Sequence, residues 1–140
     1  MAEISKPGCD IGIQVSDLEG QMRFYGEALG LAHVGHIDVP GANLHFYACG
    51  HTLLKLYGIP GLARTPRSAE PRSGVSYFTI HVADLAKTVA DLERHGATIL
   101  QPITEFDAGV TLPAPIGRVK ARFAMVADAD GNKIELMEKA

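Results

Sequence analysis

The chain has 140 residues and a formal net charge of −3, from 13 Lys and Arg against 16 Asp and Glu. This balance supplies no basic face for nucleic acid or a membrane surface, so we expect neither as a partner. No apolar run approaches the roughly 20 residues that span a bilayer, and the first ten residues lack the apolar segment of a signal peptide, so we expect a cytoplasmic protein. Cys9 and Cys49 have no metal-ligand spacing and are expected to remain reduced thiols.

An internal repeat divides the chain into two halves. The stretch CDIGIQVSDL, from Cys9, aligns residue for residue with SYFTIHVADL, from Ser76. Each copy continues into an apolar stripe with the i, i+4, i+7 spacing of a helix: Leu18, Met22 and Tyr25 in the first, and Leu85, Val89 and Leu92 in the second. Each half therefore opens with a strand followed by a helix.

Cap signals and short strand-like runs complete each half. Ser16 with Glu19 predicts a capping box at the start of the first helix, and Gly30 and Gly96 are placed to end the two helices. Asp130-Gly131, within DADGN, predicts a hairpin between the last two strands. The predicted strands after the helices span about 31–39, 43–49 and 52–58, then 97–102, 119–127 and 133–138.

These elements predict an α+β fold of two βαβββ modules within one domain, 1–140. The modules span about 9–58 and 75–138, and a Pro- and Gly-rich loop, 59–74, joins them. The module pair, the opening IGIQVSDLEGQMRFYGEALGL and the closing MVADADGNKIELME resemble the vicinal oxygen chelate superfamily of glyoxalases, bleomycin-resistance proteins and dioxygenases. The resemblance implies curled mixed sheets whose inward faces, the cups, form a small-molecule site, and a chain that pairs as a homodimer.

The same resemblance implies four metal-ligand positions, commonly His, Glu or Gln, His and Glu. The first and third positions lie seven residues before Asp17 and Asp84, which places them at Asp10 and Tyr77. The second and fourth are Lys55 and Glu135, because LLKLY superposes on KIELM with Lys55 on Glu135. Only Glu135 matches the usual pattern, and a protonated lysine has no lone pair for a metal. We therefore expect no cofactor, with a divalent metal as the weaker alternative, and place Lys55 in the metal's position between Asp10 and Glu135. The other interpretation is a shifted strand, with Lys55 reaching solvent.

Further residues are candidates for contact with the ligand. Tyr77, Thr79 and His81 share the strand parity that faces the cup, and His45 and Tyr57 are candidates for the first cup. His33, His36, His51 and His95 are interpreted as solvated or turn residues. The joining loop, with Arg64, Arg67 and Arg72, and the segment EFDAGVTLPAPIGRVKAR, with Arg118, Lys120 and Arg122, are two loops suited to gathering an anionic ligand.

Three classes of function remain open. The first is a metal-free protein that binds or sequesters a small organic molecule. The second is a metal-independent isomerase, lyase or cyclase acting beside a carbonyl, with Glu135 or Asp10 as general base and Lys55 or Tyr77 stabilising oxyanion charge. The third, ranked lowest, is a metal-dependent lyase or dioxygenase. Between the first two the residues do not decide.

Overall fold

A computed structural model describes residues 1–65, 71 and 73–140. It divides the chain into two compact units, Met1–Pro66 and Arg67–Ala140, which we call module 1 and module 2. Module 1 contains strands β1 (Ile11–Val15), β2 (Ala32–Val39), β3 (Ala42–Cys49) and β4 (Thr52–Gly58). Module 2 contains strands β5 (Phe78–His81), β6 (Thr98–Leu112), β7 (Gly117–Ala127) and β8 (Lys133–Lys139).

Each module is one four-stranded mixed sheet with a single helical segment. The strand orders are β1-β4-β3-β2 and β5-β8-β7-β6. In each module, the strand that comes first in the chain pairs in parallel with the strand that comes last: β1 with β4, and β5 with β8. The other neighbouring strands are antiparallel. A parallel pair needs a crossover connection, and the helix after the first strand begins it. The predicted fold class, α+β with two βαβββ modules, is confirmed.

Alternation along the strands gives each sheet two different faces. In β4 the side chains of Leu54 and Leu56 are 2% and 0% exposed, and in β8 Ile134 and Leu136 are both fully buried. These residues define the helix face of each sheet, because the helices bury their apolar sides against it. The residue between each pair, Lys55 or Glu135, therefore points to the opposite side, which we call the open face.

The helical segment of module 1 differs from its counterpart in module 2. An α-helix, α1 (Leu18–Met22), continues as a π-helical stretch, Arg23–Ala28, whereas α2 (Leu85–Arg94) is regular. The predicted apolar stripe is buried along α2, but in module 1 Tyr25 is fully buried while Leu18 and Met22 are only partly so. The wider π turn changes which side chains reach the sheet.

The predicted helix ends are confirmed and the predicted start of the first helix is wrong. Gly30 and Gly96 follow the helical segments with φ values of 77° and 79°, which an L-residue with a side chain rarely adopts. The cap of α1 is Asp17, whose carboxylate accepts a hydrogen bond from the Gly20 N–H at 2.9 Å, and not Ser16. Asp84 caps α2 in the same way, accepting from the Lys87 N–H at 2.9 Å.

Residues 105–118, interpreted as part of a loop before the strand predicted at about 119–127, belong to a long hairpin. Strand β6 extends to Leu112, ten residues beyond the predicted end, and β7 begins at Gly117 after a turn with a cis Ala114–Pro115 bond. Opposite charges face each other across the ladder, Glu105 with Arg122 and Asp107 with Lys120. Such cross-strand pairs stabilise an extended hairpin, so the charges that suggested a solvated loop belong to a strand pair.

The predicted hairpin at DADGN is confirmed. Asp128 accepts hydrogen bonds from the backbone N–H groups of Asp130 and Asn132 at 3.0 and 2.9 Å, and Gly131 has a φ of 84°. The Asp128 carboxylate thereby fixes the turn that joins β7 to β8.

None of the described helices has the length and apolar character needed to cross a membrane.

We expect Gly58→Ala to destabilise module 1. A Cβ at this position would lie 2.7 Å from Leu18 Cδ2 and 3.3 Å from Leu18 Cβ and Cγ, at the contact between β4 and α1. Overpacking of this kind costs about 1–2 kcal/mol of the free energy of unfolding. Urea denaturation measures it, with Gly12→Ala as the control, because its Cβ would meet Tyr57 Cε2 at an ordinary 3.4 Å. Equal stability of both variants would contradict the packing described for Gly58.

Candidate functional site

The open face of module 1 combines one cation with apolar side chains. Lys55 lies opposite Phe46 in the β3–β4 ladder, and Tyr57 lies opposite Leu44. Directly opposite residues point to the same face, so these four side chains form one surface. Leu44 is buried, Phe46 and Tyr57 are half-buried, and the Lys55 side chain is 32% exposed. The sheet thus presents an ammonium group beside aromatic rings.

Gly12 makes room on this surface for the ring of Tyr57. It lies opposite Lys55 in the parallel β1–β4 ladder, and a Cβ built there would lie 3.4 Å from Tyr57 Cε2. A larger side chain than Ala at this position would have to displace the ring. The repeat gives Thr79 the equivalent place in module 2, where it lies opposite Glu135. Lys55 and Glu135 therefore occupy corresponding positions in the two sheets.

Asp10 is the ion partner of Lys55, at 4.0 Å from the ammonium nitrogen to Oδ2. The same carboxylate has two closer partners: Lys6 Nζ lies 2.6 Å from Oδ1, and the Leu53 backbone N–H donates to Oδ1 at 2.9 Å. The hydrogen bonds from Lys6 and Leu53, with smaller contributions from the charges of Lys6 and Lys55, hold the pKa of Asp10 below its usual range. Both of these closer contacts use Oδ1, whereas Oδ2 is the oxygen nearer to Lys55, so the Asp10 carboxylate is shared among Lys6, Leu53 and Lys55.

The open face of module 2 carries a carboxylate where module 1 has its cation. Thr79 Oγ1 donates a hydrogen bond to Glu135 Oε1 at 2.8 Å. Within the described part of module 2, no Lys, Arg or His lies within ion-pair distance of Glu135. Tyr77 precedes β5 and is 46% exposed. Thr79 thus orients a carboxylate whose charge has no ionic partner within the part of module 2 that is described.

His81 lies at a cavity in module 2. This cavity is a shallow depression open to solvent, and its lining consists of His81, Val82, Ala83, Met137, Glu138 and Lys139. Glu138 is committed to structure there, because its Oε2 accepts from the Leu85 N–H at 2.7 Å at the start of α2, and its Oε1 lies 3.9 Å from Arg122. His81 and Lys139 are the remaining polar side chains that line the cavity.

His45 does not line the open face, and its predicted place in the first cup is wrong. It lies opposite Leu56 in the β3–β4 ladder, so its side chain points to the helix face. There it belongs to a histidine cluster, which we define as His33, His36 and His45. His33 Nε2 lies 2.9 Å from His45 Nδ1, and the rings of His36 and His45 stack with centroids 5.1 Å apart and an interplanar angle of 15°.

His33 and His36 were predicted to be solvated or turn residues, and their cluster with His45 was not predicted. Both are exposed, but a bulge between His33 and Gly35 inserts Val34 into β2, so that two residues three apart point to the same face. Gly35, with a φ of 145°, was the available signal, since an isolated glycine within a strand pattern often marks a bulge. Burial, followed by the nearby His33 and His36, lowers the pKa of His45.

The four positions that the family resemblance assigns to metal ligands offer a poor donor set. Lys55 donates hydrogen bonds and has no lone pair when protonated, and Asp10 already accepts from Lys6 and Leu53. Over residues 1–65, 71 and 73–140, no group of three or more His, Cys, Asp and Glu side chains is arranged to hold a metal ion. The side chains present at these positions do not fit the family's usual divalent metal.

Of the basic residues predicted to contact an anionic ligand, Arg118 already pairs with a carboxylate of the protein. Arg118 donates from Nη2 to both carboxylate oxygens of Asp107, at 3.0 and 3.1 Å, across the β6–β7 hairpin. Arg67 and Arg72 lie outside the described residues. Contact between Arg118 and a ligand stays a prediction.

We expect the pKa of Asp10 to depend more on Lys6 than on Lys55. Lys6→Gln removes the hydrogen bond at 2.6 Å, whereas Lys55→Met removes only a charge at 4.0 Å, so the first change should raise the pKa of Asp10 further. Because the folded pKa is depressed, this carboxylate stabilises the fold above its unfolded pKa, and the contribution is lost as pH falls through the folded pKa. Carbon-13 NMR titration of the carboxyl group measures both variants. A larger rise in Lys55→Met would show that Asp10 is directed mainly at Lys55.

Comparisons with known proteins agree with this architecture. The family model of the Glyoxalase/Bleomycin resistance protein/Dioxygenase superfamily matches residues 10–136. The chain is 27% identical over 132 residues to a protein of Arabidopsis thaliana named "probable lactoylglutathione lyase, chloroplastic", covering 90% of this chain. It spans only 34% of that protein's length.

Solved structures show the same fold. A glyoxalase family protein from Bacillus cereus superposes with a TM-score of 0.75 at 19% identity, covering 98% of this chain and 95% of that one. The trypanothione-dependent glyoxalase I of Leishmania major superposes with a TM-score of 0.66 at 26% identity, covering 93% and 84%. With two βαβββ modules and a family match over nearly its whole length, the chain belongs to the Glyoxalase/Bleomycin resistance protein/Dioxygenase superfamily.

Proposed function

We propose that this protein binds a small organic anion on the open face of module 1, with the Lys55 ammonium group as its anchor, and that binding needs no divalent metal. The observation that carries the proposal is the state of Lys55. Its one ion partner among the described residues, Asp10, lies at 4.0 Å and is held more closely by Lys6 and Leu53. Lys55 therefore retains hydrogen-bonding capacity for the carboxylate or phenolate of a ligand.

The surroundings of Lys55 support an apolar or aromatic body for this ligand. Phe46 and Tyr57 lie on the same face and remain half-buried, so part of each ring is accessible. A planar ligand stacked on these rings would gain from apolar burial and from offset aromatic packing. Its charged group would then meet the ammonium at the edge of the apolar surface. A binding site commonly combines a mostly apolar lining with a few polar groups that fix orientation.

The names of the relatives suggest a lyase, but the side chains here support that activity less well. Lactoylglutathione lyase and glyoxalase I are the printed names of two similar proteins, each less than 30% identical to this chain. A metal-dependent activity of this family would need a donor set that Lys55 and Asp10 do not offer. We therefore rank metal-dependent lyase or dioxygenase chemistry below a metal-free role.

A second candidate function rests on Glu135. A carboxylate oriented by Thr79 at 2.8 Å and without an ionic partner in the described part of module 2 is suited to accept a proton beside a carbonyl. In this alternative the proton moves from the ligand carbon to Glu135, and the enolate oxygen that forms is stabilised by a donor such as the Tyr77 hydroxyl. The protein would then be a metal-independent isomerase or lyase.

We expect Lys55→Met to weaken binding of aromatic carboxylates selectively. The test uses a small library of aromatic carboxylates, each paired with its neutral carboxamide, for example indole-3-acetate and indole-3-acetamide. The carboxylates should lose about tenfold in affinity, the equivalent of about 1.4 kcal/mol, because they lose a charge-assisted hydrogen bond at a partly exposed site. The carboxamides should change little. Binding and its location are measured from shifts of the Phe46, Lys55 and Tyr57 amide signals by NMR.

The control for this test is Lys87→Met, which removes an exposed lysine on α2 that pairs with Asp91 at 2.8 Å. This variant should bind both members of each pair like the unaltered protein. Equal losses for carboxylate and carboxamide, or the absence of any carboxylate that shifts the three signals, would contradict an anion site at Lys55.

Proton exchange distinguishes the second candidate from simple binding. If Glu135 is a general base, the protein should accelerate exchange of the C3 hydrogens of 2-oxobutanoate in D₂O, and Glu135→Gln should remove at least about a hundredfold of that acceleration. Proton NMR follows the loss of the C3 signal. Glu93→Gln, on α2, is the matched control. Exchange no faster than in buffer would favour binding without chemistry for this class of carbonyl compound.

A further inference from the structure

We propose that His33 and His45 form a binding site for a first-row transition-metal ion, such as Zn²⁺ or Ni²⁺, on the helix face of module 1. This face is the opposite side of the sheet from Lys55, so the proposal is independent of the anion site. The ion would be bound by His33 Nε2 and His45 Nδ1, with water completing its coordination. Imidazole nitrogen is a ligand that these ions favour.

The spacing of the two nitrogen atoms carries the inference. His33 Nε2 and His45 Nδ1 lie 2.9 Å apart. Two imidazole nitrogens bound to one tetrahedral zinc, each at about 2.0–2.1 Å, lie about 3.3 Å from each other. The ring centroids lie 5.1 Å apart, so the two nitrogens point almost directly at each other. To bind one ion, both rings would therefore have to turn as well as separate by a few tenths of an ångström. The one hydrogen between the two atoms moves to the other nitrogen of its own ring, so two neutral imidazoles bind without net loss of a proton.

The sheet holds both rings in place. His45 is fixed by the β3–β4 ladder opposite Leu56, and the bulge at Val34 directs His33 to the same face from β2. The ring of His33 packs edge-on against Tyr47, with centroids 5.0 Å apart at 63°, and His36 stacks on His45. The strands therefore hold the backbone of both histidines on one face, and only their side-chain torsions have to change when an ion binds.

His36 is not a ligand in this arrangement. Its ring is nearly parallel to that of His45, at an interplanar angle of 15° and a centroid distance of 5.1 Å. A metal bound to imidazole lies close to the plane of the ring, so an ion in the plane of His45 lies well out of the plane of His36. The protein therefore supplies two nitrogen ligands, consistent with the lack of a three-residue metal cluster among the described residues. His36 supplies packing.

The electrostatic surroundings suit a cation. His33 is exposed and His45 is half-buried, so the two nitrogens lie where an ion from solution can reach them. The charges that act on His45 come from His33, His36 and Asp38, of which only Asp38 is negative and none belongs to a Lys or Arg. Glu27, from the π-helical stretch, acts on the neighbouring Tyr47. Asp38 therefore brings a negative charge close to His45.

Zinc titration of three matched variants tests the proposal. Isothermal calorimetry of the full chain with ZnCl₂ should show one site, and His33→Gln and His45→Gln should each reduce its affinity at least tenfold. His36→Gln, which changes the same cluster without removing a proposed ligand, should stay within about threefold. His33 is exposed on β2, so its variant keeps the test decisive even if His45→Gln disturbs the sheet.

Two results would overturn the site: affinity unchanged in His33→Gln, or a loss in His36→Gln as large as that in His33→Gln. Amide NMR spectra recorded during the titration separate this proposal from the metal-free function. Shifts should appear on β2 and β3 around the histidine cluster. Shifts centred on Gly12, Lys55 or Glu135 would contradict both the zinc site proposed here and the proposal that the open face binds its ligand without a metal. Failure of the carboxylate-binding test alone would contradict the proposed function and not the zinc site.

Discussion

The alternation of side chains along β4 controls where every candidate group in module 1 points. Leu54 and Leu56 are buried against the helical segment, and this burial contributes about 1.5–3 kcal/mol for each side chain. Moving the strand by one residue would expose both leucines and place the Lys55 ammonium in the core, at a cost of several kcal/mol. The burial of the leucines and the cost of burying the ammonium group therefore both fix the register of β4. Lys55 must face away from the helix, and so must Phe46 and Gly12, its partners on the neighbouring strands.

The repeat preserves this geometry in module 2, but the charge of the residue at the equivalent position is reversed. Gly12 pairs with Lys55 as Thr79 pairs with Glu135, so the same place on each sheet holds a cation in one module and a carboxylate in the other. The core does not restrict this difference, because both side chains leave the helix face. Fold and function are separable here for a physical reason: the helix face needs apolar packing, and the open face is available for binding.

The parts of the fold that follow from local periodicity were predictable from the sequence. Strand β4 has its predicted bounds, and the glycines that end the helices adopt positive φ. One error was a choice between two adjacent residues: Asp17 and Ser16 are both competent caps, and the hydrogen bond from the Gly20 N–H selects Asp17. The other error arose where neighbours across the sheet decide the outcome. The β6–β7 hairpin depends on charges that face each other across strands, such as Asp107 and Lys120, which sequence order alone does not pair.

The candidate sites show the same division between local and long-range information. The orientation of Lys55 followed from counting residues along one strand, whereas His45 was misplaced because its face depends on its register against Leu56. The histidine cluster also depends on the bulge at Val34 in β2, which directs His33 to the same face as His45. Adjacent residues of β3, His45 and Phe46, consequently serve opposite faces. Because side chains alternate between the two faces of a sheet, one sheet can present imidazole nitrogens on one face and an ammonium group with aromatic rings on the other. The side chains of either face can change without altering the backbone pairing of the strands that carry both.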